Sequence, residues 1–280
     1  MNRRNLLLAL FACIICLVSF APPQKVKQPE KKLGWYLGSQ AYTFRLFTFA
    51  EALDKIDSAG LSYVEAFPGQ KIGAGSTENF NYTLSAEGKK LVKDLLKKKN
   101  ITLHAFGVTS GNSEEEWKKI FDFAQEMGIK VINSEPNEKH IDYISSLCDQ
   151  YKIKVAIHNH PEPSFYWNPD KVLSLIEGKS AYLGIAADVG HWARSGLDPV
   201  ASLKKLEGKI FHLHFKDLNE FGKKNAHDVH WGTGVIGMEK IIAELKRQKF
   251  KGMLSAEYEY NWNNNMPDVK VSAANFRKAL

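Results

Sequence analysis

Residues 36–45 read YLGSQAYTFR, an apolar start followed by Ser39, Gln40, Tyr42 and Arg45 where the run ends. The turn after a first strand decides between the two architectures open to a chain that alternates strands and helices. A doubly wound open sheet needs a glycine-rich turn here, so that the backbone can close on a phosphate at a helix N-terminus; SQAYTFR is not one. Outward from it, seven further apolar runs read as strands: SYVEAF, ITLHAFGV, KVINSE, KVAIHNH, YLGIAADVG, KIFHLHFKD and GMLSAEYEY. Helical spacing fills the gaps, in TFAEALDKIDSAG, SAEGKKLVKDLLKKKN, SEEEWKKIFDFAQEMG, KHIDYISSLCDQY, NPDKVLSLIEG, DPVASLKKLEG and GMEKIIAELKRQ. Ser113 with Glu116 has the spacing of a capping box, Asn168 precedes Pro169 at a first helical position, and Gly60, Gly128, Gly178 and Gly208 stand where helices stop. Strands alternating with helices build a parallel sheet, and eight such units fill the roughly 250 residues of a closed (β/α)8 TIM barrel. Residues 34–280 are expected to form that single domain, with residues 261–280 as the closing helix.

The first residues read differently. MNRRNLLLALFACIICLVSFAPPQ carries two arginines, an apolar run from Leu6 to Phe20, and Ser19-Phe20-Ala21 as a small-x-small cleavage candidate. The run is shorter than the ~20 residues of a spanning helix. Residues 1–21 are read as an export signal, with an uncleaved anchor as the alternative, and residues 22–33 as a polar linker. This predicts a periplasmic enzyme, or one anchored to the membrane and facing the periplasm. Cys13 and Cys16 fall in that segment, which leaves Cys148, at helical spacing beside Ile144 and Leu147, as a small buried hydrophobe. The formal charge of +7 comes from scattered lysines without an arginine-rich block, so nucleic acid is not expected as a partner. The sequence leaves the oligomeric state open.

In a barrel of this kind, chemistry collects where the strands end. Those ends carry Tyr42 and Arg45, Glu65, His104, Glu135, His158 with His160, Asp188 with His191, His212 with His214 and Lys216, and Glu257 with Glu259. One buried acid or imidazole has a structural explanation, but a ring of them describes a site. Arg45 can pair with Glu65, His104 and His212 can be satisfied inside the barrel, and Asp217 can orient Lys216 or cap the next loop. Arg45, Glu65 and His104 are nevertheless taken as substrate-binding, with Trp192 and Trp231 as stacking platforms for a sugar ring. Carboxylates and imidazoles without thiolates suit one divalent metal ion: Mn²⁺, Co²⁺, Mg²⁺ or Zn²⁺.

From LGSQAYTFR to AEYEY the chain resembles the sugar isomerase/epimerase superfamily, with the xylose isomerase-like barrel of the AP-endonuclease-type 2 group. The segments that carry the likeness are ADVGHW, HLHFKD, GMLSAEYEY and the glycine turn WGTG at Trp231–Gly234. The resemblance implies a metal held by Asp188, His214 and Glu257, with His191 beside it. Many relatives take a further ligand, a glutamate, from strand five, where this chain has Ala156. The imidazole two residues on, His158, matches a proton-transfer residue of related dehydratases. Glu135 and His160 are the residues left to complete the shell.

The resemblance and the residues together imply a divalent-metal-dependent sugar isomerase or epimerase that removes a proton next to a carbonyl. His158 or Glu135 is the expected base, and His191 and Lys216 the acid or electrostatic helpers. An unphosphorylated sugar or keto-sugar is expected, since export takes the enzyme away from sugar phosphates. β-Elimination from a 3-keto-glycoside (a lyase or hydratase) is the alternative, and a non-catalytic sugar-binding module a further one.

Overall fold

The structure is a computed structural model and describes residues 27–280; the expected signal and the start of the linker lie outside them. The strands are β1 (Trp35–Gln40), β2 (Tyr63–Ala66), β3 (Lys71–Gly73), β4 (Ser76–Asn79), β5 (Thr102–Phe106), β6 (Val131–Ser134), β7 (Lys154–His158), β8 (Leu183–Asp188), β9 (Ile210–Phe215) and β10 (Gly252–Ala256). Eight of them close a parallel barrel in the order β1-β10-β9-β8-β7-β6-β5-β2, and each of the eight expected runs supplies one. The sequence reading did not contain the β3-β4 hairpin, which turns through Gly73, Ala74 and Gly75, all at positive φ. Its second strand, STEN, is polar throughout and gives no alternation to detect.

The helices are α1 (Phe49–Ser58), α2 (Ala86–Lys99), α3 (Glu114–Met127), α4 (Ile141–Tyr151), α5 (Pro169–Ile176), α6 (Val189–Arg194), α7 (Pro199–Lys205), α8 (Met238–Arg247) and α9 (Met266–Lys278). Ser113 Oγ caps α3 by accepting from Glu116 N, but the Glu116 carboxylate reaches back to Asn112 N rather than to the cap residue. The reciprocal capping box is instead at Thr48 and Glu51. Asn168 accepts from Asp170 N at 2.9 Å, ahead of Pro169. Gly60, Gly128, Gly178 and Gly208 all sit at positive φ. The six-residue α6 begins directly after β8, so His191 is helical where a loop was expected.

Strand alternation and register set the interior. Leu213 and Phe215 face the helices, Phe215 lying 4.7 Å from Trp231 and 5.9 Å from Phe276 between ring centroids, while His212, His214 and Lys216 face inward. In register, Asp188 lies beside His214, and His214 beside Ser255. Ala105, Val131, Ala156, Ala186 and Phe211 form a small apolar floor below them. The mouth is braced across the seam: Thr43 Oγ1 donates to Ala256 O and accepts from Tyr258 N, and Asn265 Nδ2 donates to Thr43 O at 2.6 Å.

Part of the expected linker belongs to this body. Pro29–Leu33 form a 3-10 turn whose Glu30 is buried, its Oε1 receiving Arg277 Nη2 at 2.8 Å and Nε at 3.1 Å. Removing one partner of a buried ion pair strands the other charge, which costs about 3–5 kcal/mol. Arg277→Ala is therefore expected to lower stability by that amount in urea titrations. A change within about 0.5 kcal/mol, as for an ordinary surface substitution, would mean that the turn is only loosely attached.

Candidate functional site

The inward side chains stack in levels. The lower level is Glu65, wholly buried, whose Oε2 receives His214 Nε2 at 2.7 Å and lies 2.8 Å from His212 Nε2 while Oε1 receives Asn133 Nδ2 at 2.6 Å. Burial opposes ionisation of Glu65, but the two imidazoles override it and hold its carboxyl well below the usual range. Above this level, Lys216 Nζ contacts Glu257 Oε2 and lies 3.0 Å from Asp188 Oδ2 and 3.2 Å from Glu259 Oε2. His214 Nδ1 is 3.0 Å from Glu257 Oε2, 3.8 Å from Asp188 Oδ2 and 3.1 Å from His158 Nε2.

Hydrogen-bond chemistry assigns the tautomers. Glu65 accepts from His214 Nε2 and Glu135 Oε1 accepts from His158 Nδ1 at 3.0 Å, so each ring turns its other nitrogen to the centre. Two imidazole lone pairs 3.1 Å apart would repel, so either a proton on His214 Nδ1 or a metal cation must lie between the rings. Burial lowers the His214 pKa, yet Glu65 and Glu257 raise it far more and keep the ring protonated. His191 is the opposite case. Arg194 Nη1 can only donate, and it lies 3.1 Å from His191 Nδ1, which leaves the proton on Nε2, 3.5 Å from Asp188 Oδ2. Burial holds His191 well below the usual imidazole range, so it is a neutral N–H donor.

These groups fit a divalent cation. Asp188 Oδ2 is buried and receives no hydrogen bond of good geometry, although the Lys216 ammonium is 3.0 Å away. Asp188, Glu257, His158 and His191 bring one ligand atom each within 4.8 Å of one another, and His214 Nδ1 faces the same centre. His191 is excluded as a ligand by its tautomer, which leaves two carboxylate oxygens and two imidazole nitrogens. That mixed shell suits Zn²⁺, Co²⁺ or Mn²⁺. The His214 proton and the Lys216 ammonium stand where a divalent ion would supply the same two charges.

The remaining expected site residues divide. His160 Nδ1 also contacts Glu135 Oε1, and its side chain is 49% exposed, against 1% for His158. His158 and His160 together pull the Glu135 carboxyl down to about 2 against the effect of burial. Glu65 is a correction: it is buried under the histidines and out of reach of a substrate. His104 is another. It is the extra residue where the β2–β5 register shifts, and its ring packs 4.9 Å from Tyr36 and 6.1 Å from Tyr63, at the strand starts and away from the mouth. Trp192 and Trp231 are corrected too, since both are core side chains and no sugar can stack on them. Arg45 does not meet Glu65; its guanidinium lies 4.0 Å over Trp262 and donates to Tyr42 Oη. Asp217 does not orient Lys216 but holds the WGTG turn, accepting from the backbone N–H of Gly232, Gly234 and Ile236.

Arg194 and Asp228 were missed. Arg194, one helical turn after His191, also pairs with Asp228 Oδ2 at 3.2 Å and Glu259 Oε2 at 3.4 Å. Burial pushes the Asp228 carboxyl up to about 7, against the pull of Lys216 and Arg194. The D-x-x-H-x-x-R spacing was the available signal for Arg194.

A family model described as xylose isomerase-like TIM barrel matches residues 53–279. An inosose dehydratase of Clostridium beijerinckii is 24% identical over 163 residues, which covers 52% of this chain and 48% of that protein. The chain thus spans about half the length of the curated relatives it matches. A solved protein of Parabacteroides distasonis is 37% identical, with a TM-score of 0.73 over 88% of this chain and 100% of that one. The IolI protein, solved with a bound zinc atom, shares the fold at 16% identity and a TM-score of 0.70, over 87% of this chain and 97% of its own.

The geometry has a measurable consequence. An ammonium on Glu257 Oε2 weakens the hold of a divalent ion on the same oxygen: at about 3 Å and an effective dielectric near 20, like charges repel by roughly 5 kcal/mol per unit charge. Calorimetric titration with Zn²⁺ or Mn²⁺ is expected to give one site in the wild type, its loss in Asp188→Asn, and at least ~10-fold tighter binding in Lys216→Met. Equal or weaker binding by Lys216→Met would contradict the competition.

Proposed function

This chain belongs to the xylose isomerase-like TIM barrel family, and on that premise we propose that it is a divalent-metal-dependent enzyme that removes a proton next to the carbonyl of an unphosphorylated sugar or keto-sugar, as an isomerase or epimerase. The observation that carries the reading is the convergence of Asp188, His214, Glu257 and His158 on one point at the barrel mouth. A divalent ion held by these four residues would supply Lewis acidity to a carbonyl and to the negative charge that proton removal leaves on it.

The protein's own groups take the other roles. His160 is the base in this proposal, in place of His158. It is exposed at the mouth and Glu135 holds its Nδ1, so Nε2 is free to accept a proton; His158 is buried and directs Nε2 at the other ligands. His191 offers Nε2–H as a neutral donor, and Arg194 fixes that tautomer. Lys216, the residue after β9 and in reach of Glu259, adds a positive charge beside the developing oxyanion. Return of the proton to the other face gives an epimer, and return to the neighbouring carbon an isomer. The proposal also places the reaction outside the cytoplasm, following the signal read in residues 1–21.

A second reading rests on the match to an inosose dehydratase. Loss of a β-hydroxyl shares the first step and needs a proton for the leaving oxygen, which the His160 imidazolium carries after that step, while His191 offers that oxygen a hydrogen bond only. The first step is tested by incubating ketoses, aldoses, inososes and 3-keto-glycosides with Co²⁺-loaded enzyme in D₂O and following deuterium by NMR. His160→Ala is expected to lose ~10²–10⁴-fold of the exchange while keeping its metal, and His158→Ala to lose metal. An inverted or shifted carbonyl marks the isomerase or epimerase; an enone with loss of water or aglycone marks the elimination. Turnover without deuterium at any carbon would refute proton abstraction.

A further inference from the structure

We propose that the cleft beside Glu135 is a second sugar subsite, so that the substrate is a two-ring glycoside or disaccharide rather than a free monosaccharide. The inference rests on reading the barrel mouth as a sugar site. The cleft, about 580 Å³, is walled by the loops that follow β5, β6 and β7, within the roughly 300–1,000 Å³ of small-molecule sites. Glu135 is the side chain it shares with the mouth, through the carboxylate that holds His158 and His160. A molecule occupying both therefore continues past the reacting ring.

The walls are preformed. Tyr166 Oη donates to Pro136 O and ties the third loop to the second, while His140 Nε2 lies 3.2 Å from Asn112 O and ties the second to the first. Ser110 Oγ donates to Glu135 O at 2.9 Å, fixing the edge next to the mouth. Three cross-loop bonds leave little conformational entropy to lose on binding.

The lining selects for a neutral, hydroxylated ring. Its two carboxylates are already engaged, Glu138 by Lys171 Nζ at 2.9 Å and Glu135 by His158 and His160, and Lys139 is the one ammonium in the lining, so the cleft offers hydrogen bonds rather than a cluster of positive charge for a phosphate or an acidic sugar. Asn137 spends Oδ1 on Lys139 N and Asn112 spends Nδ2 on Glu116, so each keeps the other end of its amide for a hydroxyl group. Phe165, 49% exposed, lines the cleft with Lys171 Nζ 4.3 Å from its ring centroid, and a pyranose would stack its C–H face on the side of the ring away from that ammonium.

The test is calorimetry and NMR on metal-free full-length protein, so that it does not depend on the reaction. Cellobiose and maltose are compared with methyl β- and α-D-glucopyranoside, and glucose 6-phosphate serves as the charged control. At least one disaccharide is expected to bind roughly three- to tenfold more tightly than its methyl glycoside, with shifts at Phe165 and Asn137, and Phe165→Ala is expected to remove that gain without changing methyl glycoside binding. No gain for either disaccharide, a gain that survives both Phe165→Ala and Asn137→Ala, or glucose 6-phosphate binding as tightly would overturn the proposal. Protein that shows the two-ring gain but exchanges no proton in D₂O keeps the subsite and loses the proposed reaction; the converse result keeps the reaction and loses the subsite.

Discussion

The contact of Lys216 Nζ with Glu257 and Asp188 is the constraint on which the mouth of this barrel depends. Isolated ions are expensive to bury, and each must find compensation in place. Asp188, Glu257 and Lys216 are all buried, and the two acids outnumber the one ammonium. The remaining charge comes from His214, which burial alone would keep neutral but which Glu65 and Glu257 keep protonated. The ammonium is shared among three carboxylates, since Glu259 Oε2 also lies 3.2 Å from Lys216 Nζ. The arrangement fits a cation in its charge, its donor atoms and its burial.

The layers beneath explain why those donors point where they do. Register sets Asp188 beside His214 on neighbouring strands, and alternation lifts Lys216 one level above His214. Glu65 and Asn133 form the support that fixes the His214 ring, as Glu135 fixes His158. Second-layer carboxylates of this kind orient a ligand imidazole and raise its basicity. On the far side, Arg194 orients His191 by donating to its Nδ1, which fixes the opposite tautomer and makes that histidine a donor. One fold thus holds three imidazoles in different proton states within a few ångströms of one another, each set by the partner behind it.

Much of the fold was legible because its signals are local. Apolar runs gave the eight strands, glycines at positive φ gave helix ends, and Asn168-Pro169 gave a helix start. The hairpin and α6 were not, because STEN carries no alternation and six residues are too few to show a helical period. At the site, residue types at the strand ends marked the chemistry, but depth was illegible. Glu65 and His104 follow the same sequence pattern as Asp188, yet one lies a level below the mouth and the other is displaced by a register shift. Trp192 and Trp231 sit in segments that sequence places at the rim, and only packing shows that they turn into the core. Arg194 was hidden because its role is to serve another side chain.

The central claim, that the buried acids and imidazoles beside Lys216 can hold a divalent cation, is tested most directly by anomalous diffraction from crystals soaked in Mn²⁺ or Zn²⁺. The account predicts one strong peak within bonding distance of Asp188, Glu257, His214 and His158, with the Lys216 ammonium withdrawn from Glu257 towards Glu259. A peak at Glu65 and His212 instead, or no peak with Lys216 still on Glu257, would contradict it.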